Sequence, residues 1–96
     1  MNIKIHKTKF STTVALCDSN LIGKILKDKN PEIKLSERFY KGEDLSEEKV
    51  IAILKGANST NIVGEKSIRI ALKAGVIDKE NIRKIKGVPF AISIAL

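Results

Sequence analysis

Residues able to make or break covalent bonds are scarce in this chain, and their placement restricts them further. It contains one histidine, His6, and one cysteine, Cys17. A thiol nucleophile needs a base beside it and a third group to orient that base. Residues 2–7, Asn-Ile-Lys-Ile-His-Lys, alternate polar and apolar, which turns Ile3 and Ile5 inward and His6 outward beside Lys4. Residues 12–17 read as a second strand paired with the first in a hairpin, with His6 and Cys17 near opposite ends of the two strands. No orienting group is identifiable near either residue. Cys17-Asp18 reads better as a strand end followed by a helix cap. The acids are spread along the chain, with no pair at a spacing suited to general acid–base work. Gly23-Lys24 and Gly64-Glu65-Lys66 lack the glycine-rich frame of a phosphate loop. A single cysteine can neither close an intramolecular disulfide nor build a metal cluster. The expectation is therefore a protein with no catalytic residue, no metal and no cofactor.

Charge says more about binding. Fifteen Lys and three Arg stand against eleven acids, a net charge of +7. An excess of this size favours a polyanionic partner, most often nucleic acid, although it also serves solubility. Two groupings concentrate it. In a helix over 61–74, at about 100° per residue, Glu65, Lys66, Arg69 and Lys73 fall in one narrow stripe. Val63, Gly64, Ser67, Ile68, Ile70, Ala71, Leu72 and Ala74 fill the wide remainder. Such a helix is buried on most sides and shows solvent one basic ridge. The ridge either contacts phosphates in successive turns or is a solvated face with Glu65 and Arg69 paired. Arg83, Lys84 and Lys86 make a second cluster before the last strand, where Gly87 could hold backbone amides near an anion. Whether the two clusters form one patch is left open by the sequence. A helix-turn-helix across 56–60 is disfavoured, because the ridge is narrow and lacks base-reading Asn or Gln. Aromatics able to stack bases are limited to Phe10, Phe39 and Tyr40, without an interleaved basic-aromatic strand.

The elements that must position these residues follow from periodicity and punctuation. Asp18, Ser19 or Asn20 can cap a short helix carrying Leu21, Ile22, Ile25 and Leu26, which Asn30-Pro31 would break. Residues 32–36 offer a short strand with Ile33 and Leu35 inward, and 39–42 a loop whose aromatics pack back onto the domain. Asp44 or Ser46 followed by Glu47 and Glu48 marks a helix start, with Val50, Ile53, Leu54 and Ala57 at helical spacing and Gly56 near the end. Residues 58–61 read as a polar link into the 61–74 helix, which Gly75 terminates. Residues 82–86 form a short strand, and 88–96 a final one with Phe90, Ile92, Ile94 and Leu96 on one face. The small residues of its other face suggest an interior position.

Strands at both ends and adjacent helices between them favour an α+β fold. The expected form is a two-layer sandwich, an antiparallel or mixed sheet of about four to five strands with two main helices on one face. Its 96 residues suit a single domain over 1–96. Fifteen Ile and no Trp predict an aliphatic, β-branched core. The lone cysteine and the lack of an apolar run long enough for a membrane span point to a cytoplasmic setting with no membrane role. The high Lys content and absence of Gln resemble heat-adapted proteins, although an AT-rich genome favours similar residues.

Several short motifs taken in order also resemble a known family. Cys17-Asp18 with Leu21-Ile22-Gly23-Lys24, Phe39-Tyr40 with Gly42, Asn61-Ile62-Val63-Gly64-Glu65, Ala74-Gly75-Val76-Ile77 and Gly87-Val88-Pro89 look like the archaeal domain-of-unknown-function family 424. The likeness runs through nearly the whole chain and implies a small archaeal single-domain protein with no assigned activity. After Val88-Pro89 the family often carries a His and a Gln. Phe90 and Ile92 stand there in this chain, so any role of those polar groups does not carry over. Two partner classes fit these features. One is RNA or the ribosome, held by phosphate contacts from Lys66, Arg69, Lys73, Arg83, Lys84 and Lys86. The other is a protein partner or a second copy, held by Phe39-Tyr40 and the apolar terminal strand.

Overall fold

The alternating patterns at both ends of the chain form strands, and a third segment joins them into one sheet. The computed structural model describes residues 1–28 and 32–94. In chain order it runs β1 (Asn2–Lys7), β2 (Thr12–Cys17), a 3-10 turn at Ser19–Leu21, β3 (Ile25–Lys27), β4 (Glu32–Lys34), α1 (Glu37–Tyr40), α2 (Glu47–Lys55), β5 (Ser59–Val63), α3 (Glu65–Ala74), a 3-10 turn at Lys79–Asn81, β6 (Arg83–Ile85) and β7 (Val88–Ile94). β1 and β2 form an antiparallel hairpin, with Ile3 opposite Leu16 and His6 opposite Thr13. β6 and β7 form another around Lys86-Gly87, whose φ values of 52° and 75° are the left-handed pair that a two-residue hairpin turn demands. β5 lies between the hairpins, parallel to β2 and antiparallel to β7, giving a mixed sheet in the order β1-β2-β5-β7-β6.

The two faces of this sheet bury different clusters. On one, Val14, Leu16, Ile62 and Ala91 pack against Val50 and Leu54 of α2 and Ile68, Ile70, Ala71 and Ala74 of α3. On the other, Ala15, Cys17 and Val63 pack beneath Leu26 and Leu35 from the β3–β4 region and Tyr40 of α1. The expected α+β architecture with two helices on one face is therefore present. The small β3–β4 sheet and α1 add a partial cover on the other face. α2 begins at Ser46, whose hydroxyl accepts a hydrogen bond from the Lys49 amide, with Glu47 and Glu48 in the first turn. α3 closes on Gly75 at φ 76°.

Three expectations are corrected. The 61–74 helix is shorter, beginning at Glu65, and residues 59–63 are the central strand. Ser59 and Thr60 are tolerated there because each hydroxyl has a neighbour: Thr13 Oγ1 lies 2.7 Å from Ser59 Oγ, and Thr60 Oγ1 lies 2.5 Å from Ser93 Oγ. A strand now separates α2 from α3, which removes the helix-turn-helix geometry. The helix expected over 21–26 is a 3-10 turn followed by β3, with Gly23 at φ 90° between them. Residues 37–40 form a helical turn capped by Ser36, and its aromatics do pack back, Tyr40 being buried. Asn30-Pro31, Ala95 and Leu96 lie outside the described residues. β7 is interior, as expected, but β6 pairs only with Val88–Phe90, so the outer side of residues 91–94 faces no strand among the described residues.

Candidate functional site

Among the buried polar side chains of the described residues, Asp18, which follows β2, makes the most hydrogen bonds. Its relative exposure is 8%, and its carboxylate accepts hydrogen bonds from the Ser67 amide at 2.9 Å, the Ser67 hydroxyl at 2.7 Å and the Lys66 amide at 3.2 Å. These are first-turn donors of α3, so Asp18 caps a helix far along the chain instead of the turn that follows it. Gly64 stands where a capping side chain would normally be, at φ 110°, and a Cβ there would overlap the Asp18 carboxyl group. The backbone closes the same junction: the Asp18 amide donates to Val63 O at 3.0 Å, and the Gly64 amide to Pro89 O at 2.9 Å. Beside it opens a cavity of about 190 Å³ lined by Asp18, Asn20, Leu21, Gly64, Glu65, Gly87, Val88 and Pro89. Its charged lining is acidic, and Asp18 already occupies the helix N-terminus, where a phosphate would otherwise bind. Gly87 lines the same cavity as the Asp18 and Glu65 carboxylates.

The two reactive side chains do not meet. Cys17 pairs with Asn2 and His6 with Thr13, at opposite ends of the hairpin. Cys17 is fully buried, and desolvation, with Asp18 adding to it, pushes its thiol pKa up to about 12. His6 stacks on Phe39 with ring centroids 4.5 Å apart, and its Nε2 is 2.9 Å from Phe39 O. Both residues are therefore engaged in packing. Among the described residues no group of three or more His, Cys, Asp or Glu side chains is placed to hold a metal ion.

Lys66, Arg69 and Lys73 are all exposed on α3, as the stripe required. The ridge is not purely basic, however. Lys73 Nζ lies 2.9 Å from Glu47 Oε2 at the start of α2. That hydrogen bond and charge, with Arg69 contributing, hold Glu47 below the ordinary carboxylate value. The expected Glu65–Arg69 pair does not form. Arg83, Lys84 and Lys86 are exposed on and beside β6, but they diverge. Arg83 shares the sheet face of Phe90 and Ile85, whereas Lys84 pairs with Pro89 and points toward the helix side. Lys84 and the α3 ridge therefore share one side of the sheet, and Arg83 lies on the other, its guanidinium donating to Glu80 O at 3.0 Å.

Comparison with known proteins bears on the family and the fold. A family model described as "Protein of unknown function (DUF424)" matches residues 6–96. The chain belongs to this family. A crystal structure of an uncharacterized conserved protein from Methanopyrus kandleri is similar, with a TM-score of 0.82 and 25% identity over 99% of this chain and 92% of that one. No curated protein matches the chain.

Asp18 and Leu21, Gly64-Glu65 and Gly87-Val88-Pro89, which belong to the motifs noted in the sequence, come from three separate segments and gather at this one cavity. The sequence shows these motifs in chain order and offers Asp18, Ser19 or Asn20 as the cap of a short helix just after it. It does not reveal the helix that Asp18 caps, because the partners lie 48 and 49 residues away. Gly64 was the available signal, since a glycine before a first-turn Glu implies something close against the backbone.

Proposed function

We propose that this DUF424 chain is a non-enzymatic, RNA-associated protein, linked to the ribosome or translation and bound chiefly through phosphate contacts. Lys66, Arg69 and Lys73 on α3, with Lys84 of β6, supply one side of the footprint, and Lys86 in the hairpin turn and Arg83 extend it around the edge of the sheet. The observation that carries this reading is the lack of internal neutralisation. Among the described residues, and leaving Asp28 aside, Lys73 alone of the Lys and Arg side chains lies within ion-pair distance of a carboxylate. Positive charge left unpaired in this way can displace the counterions of a polyanion. The test is binding of single-stranded RNA across a salt series. Affinity should fall steeply with salt, and Lys66→Glu with Arg69→Glu, or Arg83→Glu with Lys84→Glu and Lys86→Glu, should each reduce both affinity and salt slope. No affinity at low salt removes the reading.

A specific feature favours a second reading, a protein-interaction module. Ile92 and Ile94, 61% and 72% exposed, stand on the part of β7 that β6 does not cover. Light scattering after size exclusion tests it, and a strict monomer that co-purifies with nothing counts against it. Among the described residues no helix is long and apolar enough to cross a membrane.

A further inference from the structure

The turn between β1 and β2 presents an aromatic ring that the fold does not use. Phe10 is 88% exposed, more than any other large apolar side chain among the described residues. Its exposure is not that of an unbraced loop. The Thr8 amide donates to Ser11 O at 2.9 Å, and Thr8 Oγ1 accepts from the Ser11 amide at 3.1 Å and the Phe10 amide at 3.4 Å. At the base of the turn, the Thr12 amide donates to Asn58 Oδ1 at 2.7 Å and the Asn58 amide donates to Thr12 O at 2.9 Å. The turn is thus closed on itself and tied to the α2–β5 link. An apolar ring is held in water by a pre-organised support.

Along the chain on both sides of the ring, the charge has one sign. Residues 1–17 contain Lys4, Lys7 and Lys9 and no acid. Lys9 Nζ lies over one face of the Phe10 ring, 5.6 Å from its centre, so a base would stack on the opposite face. An exposed ring flanked by lysines, with no carboxylate in the same segment, is what a single-stranded nucleic acid requires. One base stacks on the π-face, and the neighbouring phosphates meet the ammonium groups. An apolar protein surface would fill against the ring but would gain nothing from two flanking lysines that must shed water.

We infer that Phe10 is a base-stacking platform for single-stranded RNA, with Lys7 and Lys9 on the phosphates to either side. The inference rests on the RNA reading above and adds to it a contact that reads the base face instead of the backbone. Stacking is tolerant of sequence, because every base has a π-face, so little discrimination among bases is expected.

Because the chain contains no tryptophan, Phe10→Trp creates a unique fluorophore at the site, and the exposure of the position leaves the fold undisturbed. The probes are short oligoadenylate and oligouridylate at low salt. Saturable quenching of the indole emission by both is expected. Phe10→Ala and Phe10→Leu should each bind about tenfold more weakly than the original chain. Both should keep its salt slope and thermal midpoint. If the RNA binds but the indole emission is unchanged and Phe10→Ala matches the original affinity, the stacking inference falls while the RNA reading stands. If no variant binds RNA, the RNA reading falls and takes the inference with it. A blue shift of the indole emission with anionic phospholipid vesicles, without quenching by RNA, likewise overturns it in favour of a lipid surface.

Discussion

Asp18 and Gly64 are a matched pair, one supplying a carboxylate and the other the space for it. Removing the carboxylate leaves first-turn donors of α3 without a partner at a buried position, a loss of about 2–3 kcal/mol. Asp18→Ala should lower the urea midpoint accordingly. Gly64→Ala should also destabilise, since it places a side chain at φ 110° and pushes the carboxylate aside. The two effects overlap, so the double variant should lose less than the sum, and strict additivity would show that the residues act apart. The sequence made Asp18 legible as a cap but not its client, because helix propensity and capping rules are local and this contact is not. Cys17 was legible as the end of a strand, and there it is fully buried. Its thiol, raised to about 12 from 9.0, stays neutral in the fold over a range where the unfolded thiol ionises. The unfolded state binds fewer protons there, so stability should fall as pH rises from about 9 toward 12 and be insensitive to this group below. Ellman's reagent should leave Cys17 unlabelled at neutral pH until the protein unfolds, and rapid native labelling would contradict its burial.

Among the elements, those with strong alternation or explicit caps were readable. β1 and β7 alternate, β2 follows as the hairpin partner of β1, and α2 announces itself through Ser46, Glu47 and Glu48. β5 was not readable as a strand. Asn58-Ser59-Thr60-Asn61 has linker chemistry, and Ile62, Val63 and Gly64 join smoothly onto a helical pattern. The hydroxyls of Ser59 and Thr60 become acceptable in a central strand only once Thr13 and Ser93 stand beside them. β3 was lost in the same way, because Leu21, Ile22, Ile25 and Leu26 fit a helical period that a left-handed Gly23 interrupts. The contact between α2 and α3 yields a prediction of its own. Glu47 is exposed, so its pair with Lys73 should matter little to stability. Because its folded pKa is depressed, whatever it contributes is present above the ordinary carboxylate range and lost as pH falls through the folded value. Glu47→Gln should therefore leave the thermal midpoint nearly unchanged at neutral pH. The same change frees Lys73 and should strengthen RNA binding with a steeper salt slope. An unchanged slope would place the footprint away from α3.

At the scale of the molecule, fold class and a single-domain layout could be read from strands at both ends and helices between them. The relation of the two basic clusters could not, since it depends on which face of β6 each side chain takes, and that is set by the register with β7. The sheet order carries a further consequence, for the path to the folded state. Each hairpin closes a turn of a few residues, β1–β2 across 8–11 and β6–β7 across 86–87. The parallel contact of β2 with β5 must instead draw together strands separated by residues 18–58. Loop-closure entropy makes that meeting the slow step, and Asp18 can engage α3 only after it. The carboxylate then acts as a latch fastened after the barrier has been crossed. In stopped-flow denaturant jumps, Asp18→Ala should accelerate unfolding and leave the refolding rate almost untouched. A refolding rate reduced by the whole stability loss would mean that the latch is already fastened at the barrier, and that β2 and β5 meet early.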